Sequence, residues 1–384
     1  MKATVQASLN EDDKEIVRNP VALFLPDLCL GGAERVMVHL ANALAARRRL
    51  VDMVLVEAKG EFLAELDPAV RVVDLKTARV LRAIPRLAAY FRRVRPAVAI
   101  SALDHANFGA AVAKWLSRSG IPIIAAIHST RSVKAAQAKG IWGAVLRRCI
   151  TLCYRRAAAI VCVSGGVADD LAEMTGARRD LMQIIYNPII DERLFALARE
   201  PLDHAWYAPG APPVVLTVGR LAAVKDYQGL IRAFAVASRK NDLRLLILGE
   251  GPERSKLENL VADLGLRDRV ALPGFCSNPY AYMARAALFV VSSVSEALPT
   301  ALIEAMAVGT PVVATDCKCG PREILQNGRF GRLVPVQDVP ALAAAISAAL
   351  LDPRREIPQE ALLPYTMDFA VDRYCRLIEG ITRE

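Results

Sequence analysis

Two glutamates in the second half of the chain, Glu296 and Glu304, stand eight positions apart and flank a segment that can start a helix. Pro299 suits the first helical position, where its missing N–H is not needed, and the good helix formers that follow are Ala301, Leu302, Glu304, Ala305 and Met306. The unpaired N–H groups of a helix start favour an anion, and an ionised carboxylate accepts hydrogen bonds from the paired hydroxyls of a diol. The pattern therefore favours a ligand with a phosphate between two diols, as in a nucleotide sugar. The alternative is an amphipathic helix with two solvated glutamates.

Two cations follow the predicted strand 214–218 in the same half of the chain. Gly219 and Arg220 come directly after this strand, and Lys225 lies five positions beyond Arg220. Arginine can bind a phosphate through two parallel hydrogen bonds and lysine adds a point charge, so the pair could stabilise a diphosphate leaving group. We expect no cofactor and no divalent metal ion, because the chain contains no Asp-x-Asp motif.

Alternating strands and helices must position these residues. Short apolar runs such as 21–25, 121–127 and 287–291 predict buried parallel strands, and helical patterns lie between them. The fold class is therefore α/β, with parallel sheets that carry helices on both faces. Prolines and glycines between positions 195 and 213 predict a domain boundary. The predicted parts are a domain over residues 1–200, a domain over residues 201–366 and a terminal helix over residues 367–384.

The first half of the chain offers further candidates at strand ends. Gly31 and Gly32 open a helix after the first strand, where backbone can approach a ligand closely, although a tight turn would also explain them. His128 directly follows the strand 121–127, which is where an open α/β sheet places its ligands. The alternative for His128 is a packed core histidine, and His105 is a second choice.

The segment from Glu296 to Glu304 and on through Ala-Met-Ala-Val-Gly-Thr-Pro-Val-Val resembles the signature of the family 4 glycosyltransferases, which are retaining enzymes of the GT-B fold. The strand followed by Gly-Arg-Leu and then Lys225 is similar to the phosphate-binding pair of that family. Ala297 and Leu298 depart from the pattern, since the family commonly has glycine and an aromatic residue there.

The resemblance implies two Rossmann-like, doubly wound parallel-sheet domains facing across a cleft, with the acceptor bound by the N-terminal domain and the nucleotide sugar by the C-terminal one. It implies that Glu296 binds the transferred sugar and that Glu304 binds the ribose. It also implies that the terminal helix crosses back to the first domain. The implied catalytic residues are His128, Arg220, Lys225 and Glu296. The implied donor-binding residues are Gly31, Gly32, Gly219, Gly249, Gly251, Phe275, Leu298, Pro299, Thr300 and Glu304. Residues bordering the site would be Gly320, Arg322 and Glu323.

The composition excludes several classes of protein. With 54% apolar residues the chain is not disordered, and no apolar run reaches the about 18 residues that span a bilayer. Four acidic residues between positions 11 and 15 are unlike a secretory signal, so we expect a cytoplasmic protein. The eight cysteines lack the spacing of a disulfide framework or a zinc site.

The net charge of +9 comes from the first half of the chain. Residues 79–95 contain six arginines and no acidic residue, and residues 105–168 contain nine basic and no acidic ones. In the first of these segments cations alternate with apolar residues such as Leu81 and Ile84, which is typical of a segment lying on an anionic leaflet. We expect contact with the inner face of the cytoplasmic membrane through residues 79–95 and 131–156. No nucleic-acid-binding motif occurs.

The resemblance thus implies the retaining transfer of a hexose or N-acetylhexosamine, with UDP as the expected carrier and GDP-mannose as the alternative donor. The acceptor would be a hydroxyl of a glycan or of a lipid-linked glycan in envelope polysaccharide synthesis. Two alternatives stay open. One is an epimerase or phosphorylase of the same fold, and the other is a non-catalytic sugar-nucleotide-binding component of an envelope assembly complex.

Overall fold

The computed structural model describes residues 19–29, 31–128, 151, 154–239, 241–352 and 357–383. These residues form two compact units. The first unit holds the described residues up to Val163, then Ala168–Ile185, and those from Ala370 onward. The second unit holds Ser164–Val167 and Tyr186–Phe369.

A seven-stranded parallel sheet is the centre of the first unit. Its strands are Val21–Leu25 (β1), Val51–Leu55 (β2), Arg71–Asp74 (β3), Val98–Ala102 (β4), Ile123–Ile127 (β5), Ala159–Cys162 (β6) and Met182–Ile184 (β7). Their order is β3-β2-β1-β4-β5-β6-β7, so the order reverses between β1 and β4. Strands β1, β2, β4, β5 and β6 are buried along their whole length, and their sequences are apolar apart from Asp52 in β2, Ser101 in β4 and the terminal Cys162 of β6.

A six-stranded parallel sheet is the centre of the second unit. Its strands are Val214–Val218 (β8), Arg244–Leu248 (β9), Val270–Gly274 (β10), Leu288–Val291 (β11), Val312–Thr315 (β12) and Arg332–Val334 (β13). Their order is β10-β9-β8-β11-β12-β13, with the reversal between β8 and β11. The two sheets confirm the predicted α/β class with two doubly wound units.

Helices connect the strands in both units. In chain order they are Gly32–Ala46 (α1), Val80–Val94 (α2), Asp104–Ser117 (α3), Gly165–Thr175 (α4), Glu192–Arg199 (α5), Tyr227–Ala237 (α6), Arg254–Asp263 (α7), Pro279–Arg285 (α8), Thr300–Ala307 (α9), Pro321–Ile324 (α10), Val339–Ala349 (α11), Gln359–Leu362 (α12) and Met367–Arg383 (α13). None of those that the structure describes is long and apolar enough to cross a membrane.

The arginine-rich helix α2 turns its apolar stripe toward the sheet. Ile84, Leu87, Tyr90 and Phe91 are buried in the core of the first unit. Because these side chains are buried, they cannot enter a lipid leaflet, and the expectation that they do so is wrong. The same amphipathic spacing that fits a membrane surface serves core packing here. Leu81, with 67% of its surface exposed, is the one large apolar side chain of α2 that stands among the exposed arginines.

The division between the units differs from the predicted boundary at residue 200. Helix α5 belongs to the second unit because its C-terminal end is bound to α8: Asn278 Nδ2 donates to the carbonyl of Leu197 at 3.0 Å, and Arg285 donates to that of Ala198 at 3.1 Å. The prolines and glycines beyond residue 200 therefore lie inside the second unit, where they lead into β8.

Most of the terminal helix α13 is part of the first unit. Arg47 pairs with Asp372 and Arg49 pairs with Glu379, each at 2.7 Å, which ties α13 to the end of α1. Apolar residues of α13, including Tyr374, are buried against the same unit. Helix α13 thus begins at Met367 in the second unit and continues into the first.

Candidate active site

The loops that follow β8 and β11 lie side by side at the carboxyl edge of the second sheet. The N–H of Val294 donates to the carbonyl of Val224 at 2.9 Å, and Ser292 Oγ donates to the carbonyl of Lys225 at 2.7 Å. Strand order reverses between these strands, and such a reversal point is where open α/β sheets bind their ligands. The structure therefore brings together two segments that the sequence analysis singled out separately.

An ion pair joins the two loops. Lys225 Nζ donates to Glu296 Oε1 at 2.6 Å, and Ser293 Oγ donates to the same oxygen at 2.6 Å. The side chains of Lys225 and Glu296 are only 27% and 12% exposed, so the pair is partly shielded from water. Within the described part of the chain no hydrogen bond reaches Glu296 Oε2, which leaves that oxygen available to a hydroxyl group.

A buried thiol lies close behind this pair. Cys317 follows β12 and is 4% exposed. Burial, and then the charge of Glu296, raises the pKa of Cys317 to about 11. The thiol is therefore neutral at physiological pH and packs as a small apolar side chain.

Arg220 is exposed on the loop after β8 and its guanidinium has no hydrogen-bond or ion-pair partner among the residues that the structure describes. The neighbouring helix α9 begins at Thr300, with Pro299 as its N-cap and no side chain capping the first turn. Pro299 thus precedes the helix, one position earlier than predicted. A free guanidinium and an uncapped helix start are both suited to an anion.

Glu304 lies in the second turn of α9 and is half-buried. Tyr280, near the start of α8, donates through its hydroxyl to Glu304 Oε1 at 3.4 Å. The sequence gives no signal for Tyr280, because the contact depends on how α8 packs beside α9. The hydrogen bond from Tyr280 ties the Glu304 carboxylate to the start of α8.

Glycine turns at the ends of β8 and β9 are packed against each other. A Cβ on Gly249 would lie 2.0 Å from the carbonyl oxygen of Gly219, and a Cβ on Gly251 would lie 2.4 Å from that of Leu221. Gly219 and Gly249 have φ angles of +158° and +143°, which other residues rarely adopt. The close packing of these turns is therefore sufficient to explain the glycines, whether or not the turns also contact a ligand.

Two further donor-binding candidates differ sharply in exposure. Phe275 directly follows β10 and is 78% exposed, whereas Leu298 is 7% exposed. Beside Leu298, Pro299 is buried, and its Cδ would lie 2.5 Å from a Cβ on Gly320. Leu298 can therefore face a ligand only through its backbone, while the ring of Phe275 is free to stack on a base.

Residues near Glu323 support the loop that leads from β11 to α9. Glu323 accepts a hydrogen bond from the N–H of Gly165 at 3.0 Å and one from the hydroxyl of Tyr186 at 2.6 Å. Ser164 Oγ donates to the carbonyl of Ala297 at 2.8 Å, beside Glu296. Arg322 pairs with Asp316. The carboxylate of Glu323 is thus engaged by protein groups, which gives it a structural role in holding the loop.

The candidates of the first unit lie at the carboxyl edge of its own sheet. Gly31 is the N-cap of α1 and Gly32 its first residue, and a Cβ on Gly31 would collide with the carboxylate of Glu34, 2.1 Å away. Burial raises the pKa of Glu34. His128 follows the last residue of β5 and is half-buried.

A polar cavity of about 340 Å³ opens at the ends of β1 and β2 in the same unit. Its ionisable lining consists of Asp27, Glu57, Lys59, Arg79 and His105. His105, the second histidine candidate, follows β4, which is the strand beside the reversal point of this sheet. Mixed acidic and basic groups of this kind can bind the hydroxyls and the phosphate of a glycan.

Two family profiles match the chain. The profile of Glycosyltransferase Family 4 matches residues 30–193, and the profile of Glycosyl transferases group 1 matches residues 199–362. The chain belongs to the family 4 glycosyltransferases. It is therefore a glycosyltransferase, and the predicted family is confirmed.

Relatives of this glycosyltransferase include enzymes named for envelope glycans. One relative is the N-acetylgalactosamine-N,N'-diacetylbacillosaminyl-diphospho-undecaprenol 4-alpha-N-acetylgalactosaminyltransferase of Campylobacter jejuni. The two chains are 36% identical over 203 aligned residues, and this alignment covers 53% of each chain. Over 327 residues this glycosyltransferase is 29% identical to the lipopolysaccharide core biosynthesis glycosyltransferase LpsE of Rhizobium meliloti, covering 84% of this chain and 86% of the relative. The match thus spans about half of the first relative and most of the second.

Solved structures share the fold. Anabaena HepE in complex with UDP and glucose aligns with a TM-score of 0.76 at 19% identity, covering 94% of this glycosyltransferase and 100% of HepE. The apo form of the lipopolysaccharide outer core galactosyltransferase WaaB aligns with a TM-score of 0.72 at 17% identity, covering 94% and 99%. The predicted GT-B fold is therefore confirmed.

Proposed function

We propose that this enzyme transfers a hexose or N-acetylhexosamine from a UDP-linked donor to a hydroxyl of a lipid-linked or lipopolysaccharide-type glycan, with retention at the anomeric carbon. The observation that carries the proposal is the junction of the β8 and β11 loops, where Lys225 and Glu296 meet beside Arg220 and the start of α9. UDP is the proposed carrier since the similarly folded Anabaena HepE was solved with UDP.

The donor diphosphate would lie between Arg220, Lys225 and the N–H groups at the start of α9. Positive charge there stabilises the leaving diphosphate as its negative charge develops, so no divalent ion is needed in this proposal. Glu296 would accept hydrogen bonds from the transferred sugar through Oε2, and Glu304 from the ribose. Lys225 must turn from Glu296 toward the phosphates when the donor binds.

Glu296 is assigned a positioning role and not that of a nucleophile. Two hydrogen bonds fix its Oε1 and stabilise the carboxylate, which lowers its reactivity toward the anomeric carbon. The departing phosphate would take the proton of the acceptor hydroxyl on the same face of the sugar.

The acceptor would bind in the first unit, in the polar cavity lined by Asp27, Lys59, Arg79 and His105. A lipid-linked acceptor is supported by the names of the Campylobacter relative, which contains diphospho-undecaprenol, and of the lipopolysaccharide core enzyme LpsE. The exposed arginines of α2 would hold the enzyme electrostatically at the inner face of the cytoplasmic membrane. The other predicted membrane contact, residues 131–156, lies mainly outside the described residues.

A panel of nucleotide sugars tested by thermal shift, followed by transfer assays, examines the proposal. A donor present at 100 times its dissociation constant adds about 2.7 kcal/mol to the free energy of unfolding. Glu304→Ala should weaken donor binding, and Lys225→Ala should slow transfer. Normal turnover in both variants would contradict the proposed site. If the enzyme hydrolyses or epimerises the donor in the absence of an acceptor, a reaction other than transfer is favoured.

Liposome flotation tests the membrane part separately. Vesicles with anionic lipid should bind the protein and neutral vesicles should not, since the exposed residues of α2 are mainly arginines and Leu81 is its only large exposed apolar side chain. Equal binding to both kinds of vesicle, or none to either, would contradict membrane docking and leave the transfer reaction untouched.

A further inference from the structure

A large apolar groove lies in the first unit, apart from the residues assigned to donor and acceptor. Its volume is about 800 Å³, within the range of ligand-binding pockets. Its walls are one side of α3, the strand β5 and the chain that leads into β6. The apolar lining consists of Phe108, Ala111, Val112, Trp115, Ile123, Ala125, Tyr154 and Ala157.

Trp115 stands at the mouth of this groove with 72% of its surface exposed, and its neighbour Leu116 is 44% exposed. Tryptophan is a residue whose ring suits the boundary between hydrocarbon and water. An exposed tryptophan beside an open apolar groove marks a binding surface, since monomeric proteins rarely expose such patches without a function.

The charged side chains among the described residues that line the groove are all cationic. They are Lys114, Arg118 and Arg156, and none of these described lining residues carries a carboxylate. Burial lowers the pKa of Lys114, so an anion beside its ammonium group would relieve an unfavourable desolvation. Apolar walls with a cationic rim are complementary to an anionic amphiphile: a hydrocarbon chain inside and a phosphate at the edge.

Helix α3 also connects the groove to the proposed membrane-facing surface. Helices α2 and α3 pack side by side in one apolar core with β1 and β4. The exposed arginines of α2 and the cationic rim of the groove therefore belong to the same helical layer. A lipid leaflet that contacts the arginines can supply the occupant of the groove.

We propose that this groove binds one hydrocarbon chain of an anionic phospholipid, with the lipid phosphate held by Lys114, Arg118 and Arg156. The chain would anchor the enzyme more firmly than the arginines of α2, which offer mainly electrostatic attraction. The site is distinct from the acceptor cavity, and it does not depend on which sugar is transferred.

Quenching of Trp115 fluorescence tests the proposal. The chain has three tryptophans, so Trp142→Phe and Trp206→Phe in the full-length protein leave Trp115 as the only reporter. Phosphatidylglycerol vesicles with brominated acyl chains should quench at least half of its emission relative to unbrominated vesicles. Brominated phosphatidylcholine vesicles should have little effect, and Arg118→Glu should lower the phosphatidylglycerol effect severalfold.

A variant that fills the groove separates chain binding from simple contact with the membrane. Ala111 is half-buried on α3 and lines the groove, so Ala111→Phe should be tolerated by the fold while it occupies the space of the chain. This variant should still float with anionic vesicles through α2 but lose most of the quenching. Circular dichroism checks that it folds.

Three results would overturn the proposal. Equal quenching by both lipids would show that charge does not select the occupant. Unchanged quenching in Ala111→Phe would show that the chain does not enter the groove. No quenching, or a dimer in solution that Trp115→Ala dissociates, would show that protein covers this surface and not lipid.

Discussion

Replacing Glu296 by glutamine should have opposite effects on nucleotide binding and on transfer. The substitution keeps the shape of the side chain and its ability to accept a hydrogen bond from Ser293 Oγ. It removes the negative charge that now neutralises Lys225, 2.6 Å away. Lys225 is then free to attract a diphosphate, whereas the hydroxyl contacts of a fully charged carboxylate with the transferred sugar are lost.

The size of the effect follows from the burial of the pair. Two unit charges about 4 Å apart interact by about 4 kcal/mol at an effective dielectric constant of 20. Because the side chains are 27% and 12% exposed and must lose water to pair, we expect a net coupling of about 1 kcal/mol. A nucleoside diphosphate should therefore bind roughly fivefold more tightly to Glu296→Gln. Transfer should slow about a hundredfold, since the sugar loses a charged positioning contact.

Calorimetric titration with UDP at low ionic strength and a transfer assay measure the two effects. Glu304→Gln is the matched control, because it neutralises a second carboxylate of the same loop and helix and leaves the Lys225–Glu296 pair in place, so it should bind UDP more weakly. The idea is refuted if Glu296→Gln weakens UDP binding as Glu304→Gln does, or if it transfers sugar at the normal rate.

Three further outcomes are expected. Ser293→Ala should lower kcat about tenfold and leave UDP affinity unchanged, because Ser293 positions Glu296 only; equal losses in both would indicate a general structural defect. The pKa of the Cys317 thiol is raised from 9.0 to about 11 in the folded protein, so the thiol ionises at lower pH in the unfolded chain. The free energy of unfolding is therefore constant below pH 9 and falls as the pH rises to 11. Denaturation by urea should show a loss of about 3 kcal/mol over that interval which Cys317→Ala lacks. Tyr90→Phe should destabilise the first unit by about 2 kcal/mol, because the Tyr90 hydroxyl donates to the buried Asp52 carboxylate at 2.6 Å; an unchanged melting temperature would contradict this.

Local sequence patterns are sufficient to predict the strands, the glycine turns and the position of the loops that carry the candidate site residues. Residues that follow a strand in a parallel sheet must lie at its carboxyl edge, so Arg220, Lys225 and Glu296 could be assigned to that edge from sequence. The residues that they contact could not be predicted from sequence. Lys225 and Glu296 are 71 positions apart, and their contact depends on β8 and β11 being neighbours.

Other features depend on packing that sequence does not encode locally. Tyr280 reaches Glu304 only because α8 lies beside α9. In α2, the spacing of Ile84 and Phe91 fits a membrane-facing helix and a core-facing helix equally well, and the sheet beneath α2 decides for the core. The prolines beyond residue 200 suggested a linker, yet α5 packs onto the second unit before them.

A crystal structure with the nucleoside diphosphate that gives the largest thermal shift tests the central claim most directly. Density for the two phosphates should lie between Arg220, Lys225 and the first turn of α9, with Lys225 turned away from Glu296 and the ribose on Glu304. Phosphates bound anywhere else, with the Lys225–Glu296 pair intact, would contradict the assignment of this site.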